Sequence, residues 1–207
     1  MVGKSVLLAC LDSELVESVL IINRKSVGID HPKMKEIIHA DFLNLTAIKE
    51  ELKGYDACFF CMGVSSVGMN EETYTKLTFD ITNHFVNTLF EINPEMVFNY
   101  VSGIGSDSSE QSRTMWARVK GKTENIVLNK GFKDAYAFRL GMLVPEKGVK
   151  MSLVYKIFKP LFPLFRLFNS VTTSSKIGKA MIHSVLLPQQ LKHLKNSDMN
   201  ELAAKVI

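Results

Sequence analysis

Short apolar runs alternate with amphipathic stretches along most of the chain. Ser18–Asn23 (SVLIIN), Asp56–Cys61 (DACFFC), Met96–Ser102 (MVFNYVS) and Ala135–Arg139 (AYAFR) are near-continuous apolar runs, and Glu36–Ala40 is a weaker one. Runs of this kind suit parallel strands covered on both faces. Between them, Met1 to about Leu11 reads as a helix with Val6, Leu7, Cys10 and Leu11 apolar, and Thr46–Leu52 as a short helix. Glu71–Ile92 sets Tyr74, Leu77, Ile81, Phe85 and Leu89 on one face, and Asn93-Pro94 ends it. Asp107 and Glu110 read as a capping box opening a helix to about Lys130, with Trp116, Val119, Ile126 and Val127 near one face.

Strand–helix–strand repetition implies right-handed crossovers and an α/β, Rossmann-type doubly wound parallel sheet. Ligands in that architecture sit at the carboxyl ends of the strands. The residues to inspect are therefore Asn23-Arg24, Asp41-Phe42, Gly63-Val64-Ser65, Ser102-Gly103 and Leu140-Gly141-Met142. The start of the chain departs from the pattern. A helix leads straight into the run at Ser18, where a dinucleotide-binding unit opens with a strand and a Gly-rich turn. With strand order 3-2-1-4-5-6, the strand without a counterpart is the central one, and Ser18–Asn23 and Asp56–Cys61 are its expected neighbours.

A length of 207 residues suits one domain. Residues up to about 145 are expected to form the core, and about 146–207 a substrate-side helical region and C-terminal elements. The net charge of +4 is not gathered into a run, so nucleic acid is not expected as a partner. Cys10, Cys58 and Cys61 are an odd count without a secretory signal, which points to reduced thiols in the cytoplasm. Cys58 and Cys61 have CxxC spacing, but no second Cys or His cluster accompanies them, so they read as strand residues. The five histidines are scattered and read as no ligand set. No segment reaches the ~18 apolar residues of a membrane span.

The runs MVGKSVLLACLDSELVESVLIINRKSVGIDHPKMKEIIHADF, YDACFFCMGVSSVGMNEETYTKLTFDIT, FNYVSGIGSDSSE, MWARVKGKTEN and AFRLGMLVPEKG resemble the atypical short-chain dehydrogenase/reductases. These are the NAD(P)-binding, epimerase/dehydratase-like proteins to which the Tat-interacting-protein reductases are related. The resemblance covers nearly the whole chain and is weaker over the last forty residues. It implies a Gly-x-x-Gly-x-x-Gly turn whose last three positions match Met1-Val2-Gly3. Roughly a dozen residues, a strand and the first two glycines, are then expected ahead of Met1.

The resemblance also implies roles. Val2 and Gly3 would meet the pyrophosphate. Arg24, beside Asn23, suits a 2′-phosphate where an acid would suit a ribose 2′-OH, which favours NADP(H) over NAD(H); Arg24 reads equally as an exposed loop residue. Asp41 and Phe42 match the pair flanking the adenine, or else a cap and a core aromatic. Gly63 and Val64 would let backbone approach the ribose, and Leu140, Gly141 and Met142 would also bind the cofactor. Ser102 stands where the family places a catalytic hydroxyl, or is a turn serine before Gly103. The family's Tyr-x-x-x-Lys pair is here Trp116-Ala117-Arg118-Val119-Lys120. Lys120 can hold ribose hydroxyls, but the indole of Trp116 only donates and does not titrate, so it reads as a core or cleft-wall aromatic. Arg113, Arg118 and Tyr100 are other sources of acid or charge.

Leu153–Phe168 (LVYKIFKPLFPLFRLF) is aromatic and basic, and reads as a substrate lid or packed subdomain ahead of a membrane-surface contact; Pro160 and Pro163 interrupt any long helix there. Two function classes remain open. One is an oxidoreductase or epimerase-like enzyme on a small molecule, monomeric or homodimeric. The other is a cofactor-binding regulator without turnover, or a chain whose cofactor site is incomplete. The Trp116 spacing generates a test. Generic aldehydes and ketones should be reduced very slowly or not at all by the native sequence, and brisk NADPH oxidation that survives Trp116→Phe would mean another residue supplies the proton.

Overall fold

A computed structural model describes residues 2–144 and 171–207. The lid expected at 153–168 lies outside the described residues. Helix α1 (Val2–Asp12) leads into β1 (Val19–Asn23) and β2 (Met34–Ile38). After β3 (Ala57–Phe60) come α2 (Glu71–Thr75) and α3 (Ile81–Ile92), joined by a π turn at Lys76–Asp80. Next are β4 (Val97–Gly103), α4 (Met115–Leu128), β5 (Asp134–Leu140) and β6 (Met142–Val144). The chain then forms β7 (Val171–Thr173), α5 (Ser174–Leu186), β8 (His193–Leu194) and α6 (Asn196–Ala204). All the strand pairings are parallel.

The sheet is split. Its strands run β2-β1 in one piece and β3-β4-β5-β8 in another, with β6-β7 as a separate pair. Set against the doubly wound order, the break falls where the central strand would stand. Burial follows the break. Val97, Phe98, Asn99 and Tyr100 of β4 are at most 2% exposed, whereas no residue of β1 and only Phe60 of β3 is fully buried.

Two apolar layers cover the faces. On one, Phe60, Phe85, Leu89, Phe98 and Tyr100 pack together, with Leu20, Ile22 and Cys58 at the margin. Phe60 meets Phe85 edge-on at 5.3 Å between ring centroids, a favoured aromatic geometry. On the other face Val6 and Cys10 of α1 join Val97, Tyr136, Phe138, Ile177 and Met181, with Val19, Ala57 and Phe59 at the margin. Asn99 crosses from the sheet to α5, donating to the Met181 carbonyl at 3.2 Å and to Ser184 Oγ at 2.8 Å.

Three expectations are corrected locally. The second strand lies at Met34–Ile38, not at Glu36–Ala40, because the chain turns at 39–44. There the Nε2 of His39 lies 2.7 Å from the Asp41 carbonyl and 2.8 Å from that of Asn44. Thr46–Leu52 forms two short 3₁₀ turns in place of one helix, and still buries Leu45, Ile48 and Leu52. The helix expected from Asp107 begins only at Met115. The Asp107 carboxylate instead accepts the N–H groups of Ser109, Gln111 and Ser112, which shapes a loop, with Glu110 at a φ of 62°. Gly121 lets that loop lie on α4, since a Cβ there would stand 1.7 Å from the Asp107 carbonyl oxygen.

Helices α1 and α5 touch closely at Gly178, where a Cβ would come within 2.2 Å of the Ala9 Cβ. Ala9 sits on a helix backbone and cannot swing aside. Gly178→Ala should therefore cost about 1–3 kcal/mol by overpacking, at roughly 2–4 °C of melting temperature per kcal/mol. Thermal unfolding followed by circular dichroism checks this; an unchanged midpoint would mean the two helices separate freely.

Candidate active site

The carboxyl ends of the strands gather most of the residues singled out in the sequence. Asn23 closes β1 and Arg24 follows it, exposed. The loop beyond is braced by Glu36 of β2, whose carboxylate accepts the Ser26 hydroxyl at 2.5 Å and the Val27 N–H at 3.0 Å. Those bonds hold its pKa below the usual carboxylate range. Glu36 was not legible as a site residue, because its partners lie nine and ten positions away in a turn. Asp41 and Phe42 follow β2. The Asp41 Oδ1 accepts the Leu43 N–H at 3.0 Å, and the Phe42 ring sits 5.9 Å from that of Phe85, edge-on.

Gly63 and Val64 follow β3, and nothing lies within 4 Å of a Cβ built on Gly63. Val2 and Gly3 open α1, which brings Gly3 so close to the end of β3 that a Cβ there would stand 3.3 Å from the Cys61 Cβ. Burial pushes the thiols of Cys10 and Cys61 up to about 12 and raises that of Cys58 too, so all three are protonated. Among the described residues no group of three or more His, Cys, Asp or Glu stands close enough to hold a metal ion.

Ser102, buried one residue before the end of β4, shares a 2.8 Å hydrogen bond with Ser106 Oγ. Trp116 lies over the turn that follows. A Cβ on Gly105 would stand 2.6 Å from its ring, and one on Gly103 3.8 Å. Here the indole is a wall on a glycine turn, the role its chemistry allows. One helical turn on, Lys120 reaches inward. Its Nζ is 3.4 Å from the Tyr100 hydroxyl and 5.2 Å from that ring's centroid. Burial lowers the Lys120 pKa to about 8, against a smaller opposing pull from Glu124, while burial raises that of Tyr100. Arg118 is engaged by Glu71 and by the Ser112 carbonyl, both at 2.6 Å.

Leu140, Gly141 and Met142 are tied into the fold. The Leu140 carbonyl accepts the Ile104 N–H at 3.0 Å. Asn196 accepts the Gly141 N–H and donates to the Met142 carbonyl, both at 3.1 Å.

Solved structures share this architecture. The chain matches UDP-N-acetylglucosamine 4-epimerase from Bacillus cereus with TM-score 0.64 and 15% identity, covering 97% of this chain and 79% of that one. It matches the dTDP-glucose 4,6-dehydratase DesIV from Streptomyces venezuelae, solved with NAD and TYD bound, with TM-score 0.63 and 13% identity, over 98% and 75%. A monomeric L-threonine 3-dehydrogenase from a metagenome matches with TM-score 0.66 and 12% identity, over 93% and 73%. The chain has the fold of the short-chain dehydrogenase/reductase epimerases, dehydratases and dehydrogenases. Against other structures of this fold it spans 63–64% of their length. No family model matches the sequence.

On this dehydrogenase-type fold, one polar group braces the floor under α4 and was not legible in the sequence. Glu124, fully buried, accepts Arg139 Nε at 3.0 Å and Nη2 at 2.5 Å. Ser108 Oγ and His193 Nε2 complete it, 3.2 Å apart. Its members come from α4, β5, β8 and the loop after β4, so only the fold assembles them. The paired geometry reads as bracing, since Ser108 and Glu124 both lie against the same nitrogen of His193.

The Lys120 environment gives a pH test. Its folded pKa lies below its ordinary value, so the unfolded chain binds the extra proton between about pH 8 and 10.5. The charged form therefore costs stability below pH 8, and the cost fades as pH rises through that window. Lys120→Met should stabilise the fold at pH 7 by on the order of 1–3 kcal/mol, and by much less at pH 10. Urea unfolding at both values checks it, and destabilisation at pH 7 would contradict the burial of a partly compensated ammonium.

Proposed function

We propose that this chain binds NADP(H) through its adenosine half and lacks the phenol-based acid of ordinary carbonyl reduction. Exposed Arg24 directly after β1 carries the reading, because a guanidinium there suits a 2′-phosphate and an acid would not. The open space above Gly63 supports it, since a close backbone approach by a nucleotide needs a residue with no side chain in the way. Asn23, Asp41, Phe42, Gly63 and Val64 would hold the adenosine end, and Val2 and Gly3 the pyrophosphate. Lys120 would serve the nicotinamide ribose only by turning away from Tyr100. The cofactor itself would supply hydride chemistry to an unidentified small molecule, and Ser102 would polarise that molecule only by leaving Ser106.

A second reading, cofactor binding without turnover, is favoured by three contacts on the nicotinamide side. Trp116 covers the glycine turn, Lys120 faces Tyr100, and Asn196 occupies the Gly141 and Met142 backbone. Either reading fits a monomer or homodimer. Three free thiols suit a reducing compartment such as the cytoplasm.

Fluorescence titration with NADPH and NADH tests the cofactor choice. NADPH should bind more tightly by more than ~1.5 kcal/mol, about tenfold. Arg24→Ala should erase the difference. Equal affinities in the native chain, or a preference that survives the substitution, would reject it.

A further inference from the structure

Lys120 is a half-buried cation with no carboxylate of its own. No ion pair involves it among the described residues. The acids on the elements around it are spent elsewhere. Glu124, one turn further along α4, gives both oxygens to Arg139 of β5. Glu71 of α2 holds Arg118 at 2.6 Å, and Asp107 accepts three N–H groups of its own loop. Lys76 and Asp80 of the π turn are exposed. Nor do the nearby phenols serve as counter-ions. Burial raises the pKa of Tyr100 on β4 and of Tyr74 on α2, so both keep their protons.

The hydrogen bonds under α4 run in one direction. The Thr123 hydroxyl donates its proton to the Val119 carbonyl at 2.7 Å, so toward Tyr100 it can only accept. The Tyr100 O–H donates to it. The phenol oxygen is then left to accept, and Lys120 Nζ donates to it at 3.4 Å. A lysine fixed through one of its N–H groups keeps the lone pair of its neutral form free. Burial favours that neutral form, with the pKa lowered to about 8. Trp116, one helical turn earlier on α4, adds a half-buried aromatic wall.

We infer that Lys120 is a nucleophilic amine, and that the site takes a small uncharged aldehyde as a reversible imine on its Nζ. The amine adds to the carbonyl carbon, a C–N bond forms and one proton moves from nitrogen to oxygen. The resulting hydroxyl then leaves with the second nitrogen proton as water, and a C=N bond remains. Water reverses both steps, so the condensation needs no oxidant or reductant. The inference is independent of the cofactor reading, because no nucleotide takes part in it.

Competitive labelling of the full chain tests it. Limiting propionaldehyde with sodium cyanoborohydride traps each imine as a propyl group, and peptide mass spectrometry gives the rate at every lysine. At pH 7, Lys120 should lead exposed lysines such as Lys25 by at least about tenfold, since an amine of pKa about 8 is free far more often than an ordinary one. The lead should shrink about tenfold by pH 9, where Lys120 has lost its proton and the ordinary lysines have not. In urea that unfolds the chain the lead should vanish, a control that needs no variant to fold. Labelling of Lys120 no faster than of Lys25 at pH 7 would overturn the inference. So would a lead that stays constant from pH 7 to 9, or one that persists in urea.

Discussion

A strand inside a parallel sheet offers hydrogen-bonding groups to both sides, and each buried group needs a partner. An unmet one costs roughly 1–3 kcal/mol, against a total of about 5–15 kcal/mol for a domain. Among the described residues that constraint is met by strand pairing on one side of β1 and one side of β3, and no strand pairs with their other sides. The rest of the architecture is arranged around that seam. Helix α1 covers it from one face together with α5, and the aromatic layer around Phe60 and Phe85 covers it from the other. Among the described residues the β1-β2 pair has no third strand, and Leu20, Ile22, Ile37 and Val19 pack it onto the two apolar layers.

The seam also governs the site. The residues proposed for the adenosine end stand on the β1-β2 piece and at the end of β3, while Ser102, Trp116 and Lys120 stand on or beside β4. The candidate residues therefore stand on both pieces of sheet. On the larger piece, the Glu124–Arg139 pair fixes α4 against β5 with its charge neutralised where no water reaches Glu124. Lys120, one turn before Glu124, is left as the ammonium whose desolvation is only partly compensated. Tyr100, buried beneath it, holds its proton well above neutral pH, so the lysine faces a phenol and not a phenolate. Tyr100 stays inside the core, and the half-buried Lys120 turns to it.

Much of the sheet was legible because its signals are local. Continuous apolar runs locate β1, β3, β4 and β5 to within a residue or two, since a strand covered on both faces has no polar side to show. The long helix before Asn93-Pro94 was equally clear from its apolar stripe, though its π turn was not. Asp107 misled because a carboxylate followed by a glutamate three residues on suits either a helix cap or a loop that folds onto its own N–H groups. The choice lay with Gly121, which is far along the chain and makes room for the loop.

The sequence alone determined where the runs that form β1, β3, β4 and β5 lie, and the indole standing four residues before Lys120. Those follow from periodicity and side-chain chemistry, which neighbouring residues carry by themselves. Only the tertiary structure decided that β1 and β3 stay apart, that Lys120 turns to Tyr100, that Asn196 takes the Gly141 and Met142 backbone, and that Glu124 and Arg139 meet. Each of these depends on groups far apart in the chain competing for one buried position, and the outcome is set by which hydrogen bonds and charges can be satisfied together once water is excluded.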